Sequence, residues 1–312
     1  AYIAIARPDH WFKIVFMLLG AMLAFFIDPD LFHTQWHLNV LIAIIAACLI
    51  ASSNYVINEV LDAPTDRLHP TKCNRPIPSG RIFIPLAYIE WIILSIAGLG
   101  IAYCVNLPFF LSALAFNMSG ISYNIPPLRT KDIPYIDVLS ESINNPIRLF
   151  LGWFAVIPDQ IPPLSIIIAY WMAGAFFMTA KRCAEYRLIN DPKVASSYRS
   201  SFGHYDQDKL VMSEVFYATA CSLFFGIFII RYHLELILAA PCIAGFFSYY
   251  VGVSFKPNSK AQNPEKLYRE YGFVFYACAL LIVLLVLLFT RIPSLYEVFN
   301  VVPYRFNPLW TF

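Results

Sequence analysis

Charge is what this chain has least of. Asp, Glu, Lys and Arg supply only 13% of its 312 residues, against 59% hydrophobic residues and a mean hydropathy of +0.61. A soluble domain of this length carries roughly twice that charged fraction, so a water-soluble globular protein is excluded. The seven cysteines contain no C-x-x-C pair, which argues against a zinc site and a disulfide framework. Most of them sit in or beside apolar segments, where a free Cys behaves as a small hydrophobe. The six histidines form no cluster. The alternating ten-residue strands of a transmembrane barrel are missing, as are low-complexity tracts, and no nucleic-acid partner is expected. From Trp11 onward the sequence reads as a full span without a small-residue cleavage site, so no cleavable leader is expected.

Long apolar runs are what is there instead. A helix crosses a bilayer in about 20 residues. By that measure we expect about nine spans, centred near Met22, Ala46, Leu94, Leu114, Asn145, Phe176, Phe224, Phe246 and Leu284. The fold class expected is all-α: a polytopic membrane protein with one helical bundle over residues 1–312 and its active site at the cytoplasmic side. Basic residues concentrate on the inner side of membrane proteins. With the N-terminus inside, only Arg231, Arg291 and Arg305 of the 22 Lys and Arg residues fall outside. The sequence therefore points to an integral, multi-pass protein in the lipid bilayer, with a cytoplasmic N-terminus and cytoplasmic charged loops. Phe and Tyr are abundant. They suit an interfacial belt or a tunnel whose ring faces stabilise a cation.

The first charged segment follows an apolar run. It contains Asn58-x-x-x-Asp62-x-x-x-Asp66. Spacing of four keeps successive side chains on one helix face, provided the helix survives Pro64. Oxygen donors of this kind suit Mg2+ shared with a substrate phosphate. Arg67, Lys72, Arg75 and Arg81 follow at once and are placed to hold phosphate oxygens. An ordinary solvated helix end would look similar in isolation.

Two more charged segments are expected on the same side. One runs from Tyr123 through Arg129, Lys131 and Asp132 to Asp137 and Glu141. Asp137 and Glu141 share a helix face and suit a second metal ion. Asn144, Asn145 and Arg148 continue into an expected span, where polar groups commonly line a functional cavity or else pack helices together. The third runs from Lys181 to Lys209. Lys181 and Glu185 have the spacing of a helix-end salt bridge; alternatively Lys181 or Arg182 faces a diphosphate. Tyr198, Arg199, His204, Tyr205 and Asp206 could cap the site, bind an acceptor or simply be solvated.

Together, the first motif followed by Asn74-Arg75-Pro76-Ile77-Pro78-Ser79-Gly80, and Tyr123-x-x-Pro126-Pro127-Leu128-Arg129-x-Lys131 followed by Asp137, resemble the UbiA superfamily of intramembrane prenyltransferases. The resemblance covers nearly the whole chain. It implies nine helices and metal-assisted ionisation of a diphosphate donor, with release of pyrophosphate to leave a carbon that alkylates a lipophilic acceptor. Asn58, Asp62, Asp66, Asp137 and Glu141 would be the metal ligands, with Asp62, Asp66 and Asp137 the catalytic acids. The cofactor implied is Mg2+, with Mn2+ as a substitute. Arg67, Lys72, Arg75, Tyr123, Arg129, Lys131, Asn145, Arg148, Lys181 and Arg182 would bind the donor. Glu59 and Glu141 stand where many members have Asp. The leading expectation is transfer of a polyprenyl group from an isoprenoid diphosphate. The alternative rests on Asp66-Arg67-x-His69-Pro70-x-Lys72 and Lys181-Arg182-x-Ala184-Glu185, which look like the decaprenyl-phosphate phosphoribosyltransferase branch. There the donor is phosphoribosyl pyrophosphate and the acceptor a polyprenyl phosphate. A terpene cyclase and a non-catalytic transporter or lipid-binding protein are further alternatives.

Overall fold

Each of the nine expected centres lies within a helix. The computed structural model describes residues 1–300 apart from 34–35, 68–71, 190, 192, 195, 197–198, 257–258 and 263. Arg305, His69, Pro70 and Tyr198 therefore lie outside the described residues. The principal helices are α1 (Leu18–Ile27), α2 (Trp36–Asp66), α3 (Ile84–Val105), α4 (Leu107–Asn124), α5 (Ile136–Ser142), α6 (Asn144–Phe154), α7 (Leu164–Ile189), α8 (Gln207–Tyr232), α9 (Ala240–Ser254) and α10 (Tyr271–Leu288). No strand occurs among the described residues.

Among the described residues, seven helical segments are long and apolar enough to cross a membrane: Tyr2–Ile27, Trp36–Asp66, Ile84–Val105, Leu164–Ile189, Gln207–Tyr232, Leu234–Ser254 and Tyr271–Leu288. The helices at Leu114 and Asn145 are not among them. Asn117, Ser119, Ser122 and Asn124 crowd the second half of α4, and α6 has only 11 residues. Both spend their polar residues on the interior rather than on lipid.

The α2 helix does survive Pro64 and ends at Asp66. Proline removes one N–H donor and crowds the preceding turn; here it falls within the last turn, where Thr65 Oγ1 donates to the Asp62 carbonyl at 2.9 Å. The α4 helix starts on Asn106, whose side chain accepts from the Phe109 N–H at 2.8 Å and donates to the Phe154 carbonyl at 2.7 Å. That second bond ties α4 to the end of α6.

Backbones touch where α1 and the segment before it cross α6. A Cβ on Gly152 would lie 1.6 Å from the Met17 carbonyl oxygen, and one on Gly20 would lie 2.0 Å from that of Leu149. Small residues permit such approach, which is how membrane helices gain contact without a hydrophobic driving force.

Two apolar cores result. Ala43, Ala47, Ile50, Phe109, Phe116 and Leu151 belong to the first, built from the N-terminal helices. Phe176, Tyr217, Tyr250 and Phe273 belong to the second, built from α7 to α10. In the second, Phe176 and Phe177 meet Phe247 and Tyr250 at centroid distances of 4.7 and 4.8 Å. These rings fill a core. Val138 of α5 packs in the second core and Ile147 of α6 in the first, so the chain crosses the seam between them at α5 and α6.

Candidate active site

The last turns of α2 carry the first acidic cluster. Asn58 Nδ2 donates to Asp62 Oδ2 at 3.2 Å and to Asn124 Oδ1 at 2.7 Å. Lys131, from the segment after α4, donates to Asp62 Oδ1 and, at 3.0 Å, to Asn124 Oδ1. Arg129 lies 3.6 Å from Asp62 and 2.7 Å from Asp132. One turn further along α2, Asp66 pairs with Arg75 at 2.7 Å and Lys72 at 3.7 Å. The intervening Glu59 faces away and is 3% exposed. It accepts from the Ile77 N–H at 3.0 Å, so it holds the segment that carries Arg75. Gly80 ends that segment at φ +76°, a conformation suited to glycine.

The second cluster gathers on α5 and α7. Asp137 and Arg182 are both 0% exposed. Arg182 lies 3.4 Å from Asp137, contacts Glu141, and lies 3.4 Å from Glu185. A buried guanidinium needs this pairing, since an uncompensated charge there costs several kcal/mol or more. Asp137 also accepts from Tyr205 Oη at 2.7 Å and Ser201 Oγ at 3.1 Å, with Arg199 at 3.6 Å. Tyr123 Oη donates to Glu141 Oε2 at 3.1 Å, and Lys181 lies 3.9 Å from Glu141.

These surroundings set the charges. Burial pulls the Lys131 ammonium below its ordinary value, while Asp62 pulls it back. Burial would raise the Glu141 carboxyl, yet Arg182, Lys181 and Arg199 outweigh it and hold it well below the usual carboxylate range. Burial and then Asp137 push the Tyr205 phenol well above its ordinary value, so it remains a donor. The whole is a paired array of carboxylates and cations.

A family model described as the UbiA prenyltransferase family matches residues 13–278 of the chain. The chain belongs to the UbiA prenyltransferase family. It is thus a UbiA-type transferase and an integral, multi-pass membrane protein. Decaprenyl-phosphate phosphoribosyltransferase from Mycolicibacterium smegmatis is 29% identical over 228 residues, 71% of this chain and 67% of the relative. Digeranylgeranylglyceryl phosphate synthase from Saccharolobus solfataricus is 30% identical over 167 residues, 53% of this chain and 55% of the relative. A UbiA homolog from Archaeoglobus fulgidus bound to DMAPP and Mg2+ has a TM-score of 0.68 at 19% identity, covering 91% of this chain and 98% of that one. Membership in a transferase family removes the basis for the non-catalytic transporter expectation.

Within this UbiA chain, the expected site residues divide. Asn58, Asp62, Asp66, Lys72, Arg75, Arg129 and Lys131 converge in the first cluster, and Tyr123, Asp137, Glu141, Lys181 and Arg182 in the second. Arg67 departs from expectation: its Nε donates to the Pro78 carbonyl at 3.3 Å. Lys181 does not pair with Glu185. It reaches Glu141 while Arg182 takes Glu185, because α7 continues to Ile189 and no loop begins at Lys181. Asn145 and Arg148 join neither cluster. Arg148 lies 3.4 Å from Asn145 Oδ1 and 5.5 Å from the Phe116 ring centroid.

Asn124 was not singled out from sequence, and Ser201 gave no signal at all. Arg199 and Tyr205, whose role the sequence left open between a cap, an acceptor site and simple solvation, both reach Asp137. Asp206 instead caps α8, accepting from the Lys209 N–H at 2.8 Å. Among the described residues, no three His, Cys, Asp or Glu side chains gather as a metal site. The donor chemistry of Asn58, Asp62 and Asp66 nonetheless fits Mg2+, being all oxygen and on one helix face. Asp137 fits less well. It is fully enclosed by Arg182, Ser201 and Tyr205, which makes it a brace between α5 and α7.

Proposed function

We propose that this protein transfers the phosphoribosyl group of phosphoribosyl pyrophosphate to the phosphate of a polyprenyl phosphate. One observation carries the reading: the site has two cationic lobes. Arg75, Lys131 and Arg129 surround the first acidic cluster, and Lys181, Arg182 and Arg199 surround the second. A donor with a diphosphate at one end and a phosphate at the other matches two lobes, whereas an isoprenoid diphosphate is charged at one end only. The relatives named decaprenyl-phosphate phosphoribosyltransferase support the same reading.

In this mechanism Asn58, Asp62 and Asp66 would hold Mg2+, or Mn2+, which neutralises charge on the departing diphosphate. Arg75 and Lys131 bind diphosphate oxygens, and Lys181, Arg182 and Arg199 bind the other phosphate. The C1–O bond to pyrophosphate breaks. An acceptor phosphate oxygen forms the new C1–O bond, and pyrophosphate leaves. Tyr123 and Glu141 orient the second lobe, and Asp137 keeps Arg182 in place. The charged face, proposed as cytoplasmic, gives a water-soluble donor direct access.

Thermal stability of the purified protein with Mg2+ tests this. A ligand that binds only the folded state stabilises it by about 2.7 kcal/mol at a hundred times its Kd. Stabilisation by phosphoribosyl pyrophosphate, lost in Asp62→Ala and Asp66→Ala, is the expected outcome. Stabilisation by geranylgeranyl diphosphate alone would move the assignment to prenyl transfer. That second reading is favoured by the stretch Tyr123 to Lys131 and by the relatives named digeranylgeranylglyceryl phosphate synthase.

A further inference from the structure

We infer that Arg148 forms a separate oxyanion site, deeper in the bundle than the two carboxylate clusters, which takes the anionic head of the lipid acceptor. The inference rests on the proposed function only for the identity of the acceptor. Arg148 lies on α6 one turn beyond Asn144 and Asn145, on the polar stripe that begins at Glu141. It forms no ion pair with an acid among the described residues, and its buried Nε has no hydrogen-bond partner. Its one side-chain bond is the long 3.4 Å contact with Asn145 Oδ1.

A half-buried guanidinium whose Nε is buried without a partner is costly, and a planar fork of donors fits a phosphate or carboxylate. The other groups around it are suited to the same ligand. The phenols of Tyr55 and Tyr170 are the titratable groups that act on Arg148. Phe116 lies against the guanidinium at 5.5 Å and offers an apolar wall to a lipid tail. Asn145 is held close to α7 because Gly174 has no Cβ; one placed there would lie 2.0 Å from Asn145 Nδ2. Tyr55 precedes Asn58 by one turn of α2, so an anion at Arg148 lies along the same helix face as the donor site.

Binding of farnesyl phosphate, farnesol and inorganic phosphate to the full chain in detergent, in competition with phosphoribosyl pyrophosphate and Mg2+, tests the site. Farnesyl phosphate should bind at least tenfold tighter than farnesol or inorganic phosphate, and saturating donor should not displace it. Arg148→Gln should remove that preference and leave donor affinity within twofold; Arg148→Lys should keep part of it. Mutual exclusion of farnesyl phosphate and donor in the wild type would overturn the inference even if Arg148→Gln fails to fold. So would equal loss of both ligands in Arg148→Gln, or equal binding of farnesol and farnesyl phosphate. Tighter binding of inorganic phosphate than of farnesyl phosphate would also overturn it. If no diphosphate donor binds yet the Arg148-dependent preference persists, the donor assignment fails and this one stands.

Discussion

Tyr123 and Asn124 are consecutive in the chain and serve opposite acidic clusters. Tyr123 donates to Glu141, while Asn124 Oδ1 accepts from both Asn58 and Lys131. The last turn of α4 is thus the partition between the two halves of the site. Asn124→Leu removes one of the two acceptors of Asn58 Nδ2 and of Lys131, leaving each only Asp62, and a hydrogen bond to a charged group is worth about 1.5–3 kcal/mol. Turnover should fall about 10- to 100-fold, with the larger effect on donor affinity. Steady-state kinetics against donor concentration checks this. Unchanged donor dependence would show that Asn124 has no part in positioning Lys131.

Tyr205 carries a similar burden on the other side. Its hydroxyl donates to Asp137 at 2.7 Å and accepts from the Tyr135 N–H. Tyr135 has φ +65°, an unfavourable conformation for a side chain of that size. Tyr205→Phe should lower stability by about 1.5–3 kcal/mol, the range for hydrogen bonds to charged groups. A melting temperature equal to wild type would mean that Arg182 and Ser201 suffice to hold Asp137.

Glu214 offers a gain rather than a loss. It is 2% exposed on α8, and neither carboxylate oxygen has a hydrogen-bond partner among the described residues. Burying an unpartnered polar group costs about 1–3 kcal/mol in proteins. Glu214→Met should therefore raise the melting temperature. A lower one would assign Glu214 a partner that forms only with substrate or lipid.

At the start of α10, Glu270 pairs with Lys256 at 2.8 Å and Lys260 at 3.3 Å. The Lys256 hydrogen bond, assisted by Lys260, outweighs burial and holds its carboxyl below the ordinary carboxylate value. A depressed carboxyl stabilises the fold above its unfolded pKa of about 4.3, and the contribution is lost as pH falls through the folded value. Solvent screening limits it to about 1 kcal/mol. The melting temperature of Glu270→Gln should lie slightly below wild type at neutral pH and low salt. The gap should close in acid and shrink in high salt.

The ladder Asn58, Asp62 and Asp66 was legible because helix periodicity is local, and Pro64 fell late enough to leave it intact. The helical, multi-pass character was legible too, since long apolar runs and charged loops separate along the chain. Asn124, Ser201 and Tyr205 were harder. Their partners lie 66, 64 and 68 residues away, and no local pattern marks a residue that acts through a returning loop. The partner of Lys181 was left open by the sequence for another reason. Spacing allowed Glu185, but Arg182 reached that carboxylate and left Lys181 to Glu141. The helices at Leu114 and Asn145 show the same limit: they lie in the bundle, but their polar faces look inward.

Each carboxylate of the two clusters already has a resident counter-ion from its own chain. Asp62 has Lys131, Asp66 has Arg75, and Asp137 and Glu141 share Arg182. Folding therefore need not wait for a divalent ion, and treatment with a chelator should leave the melting temperature unchanged. Loading the site then becomes an exchange of partners. A metal ion held by Asn58, Asp62 and Asp66 would release Lys131 and Arg75 to the incoming phosphates. Each ligand would then prepare the place of the other, and their affinities would rise together by the same factor.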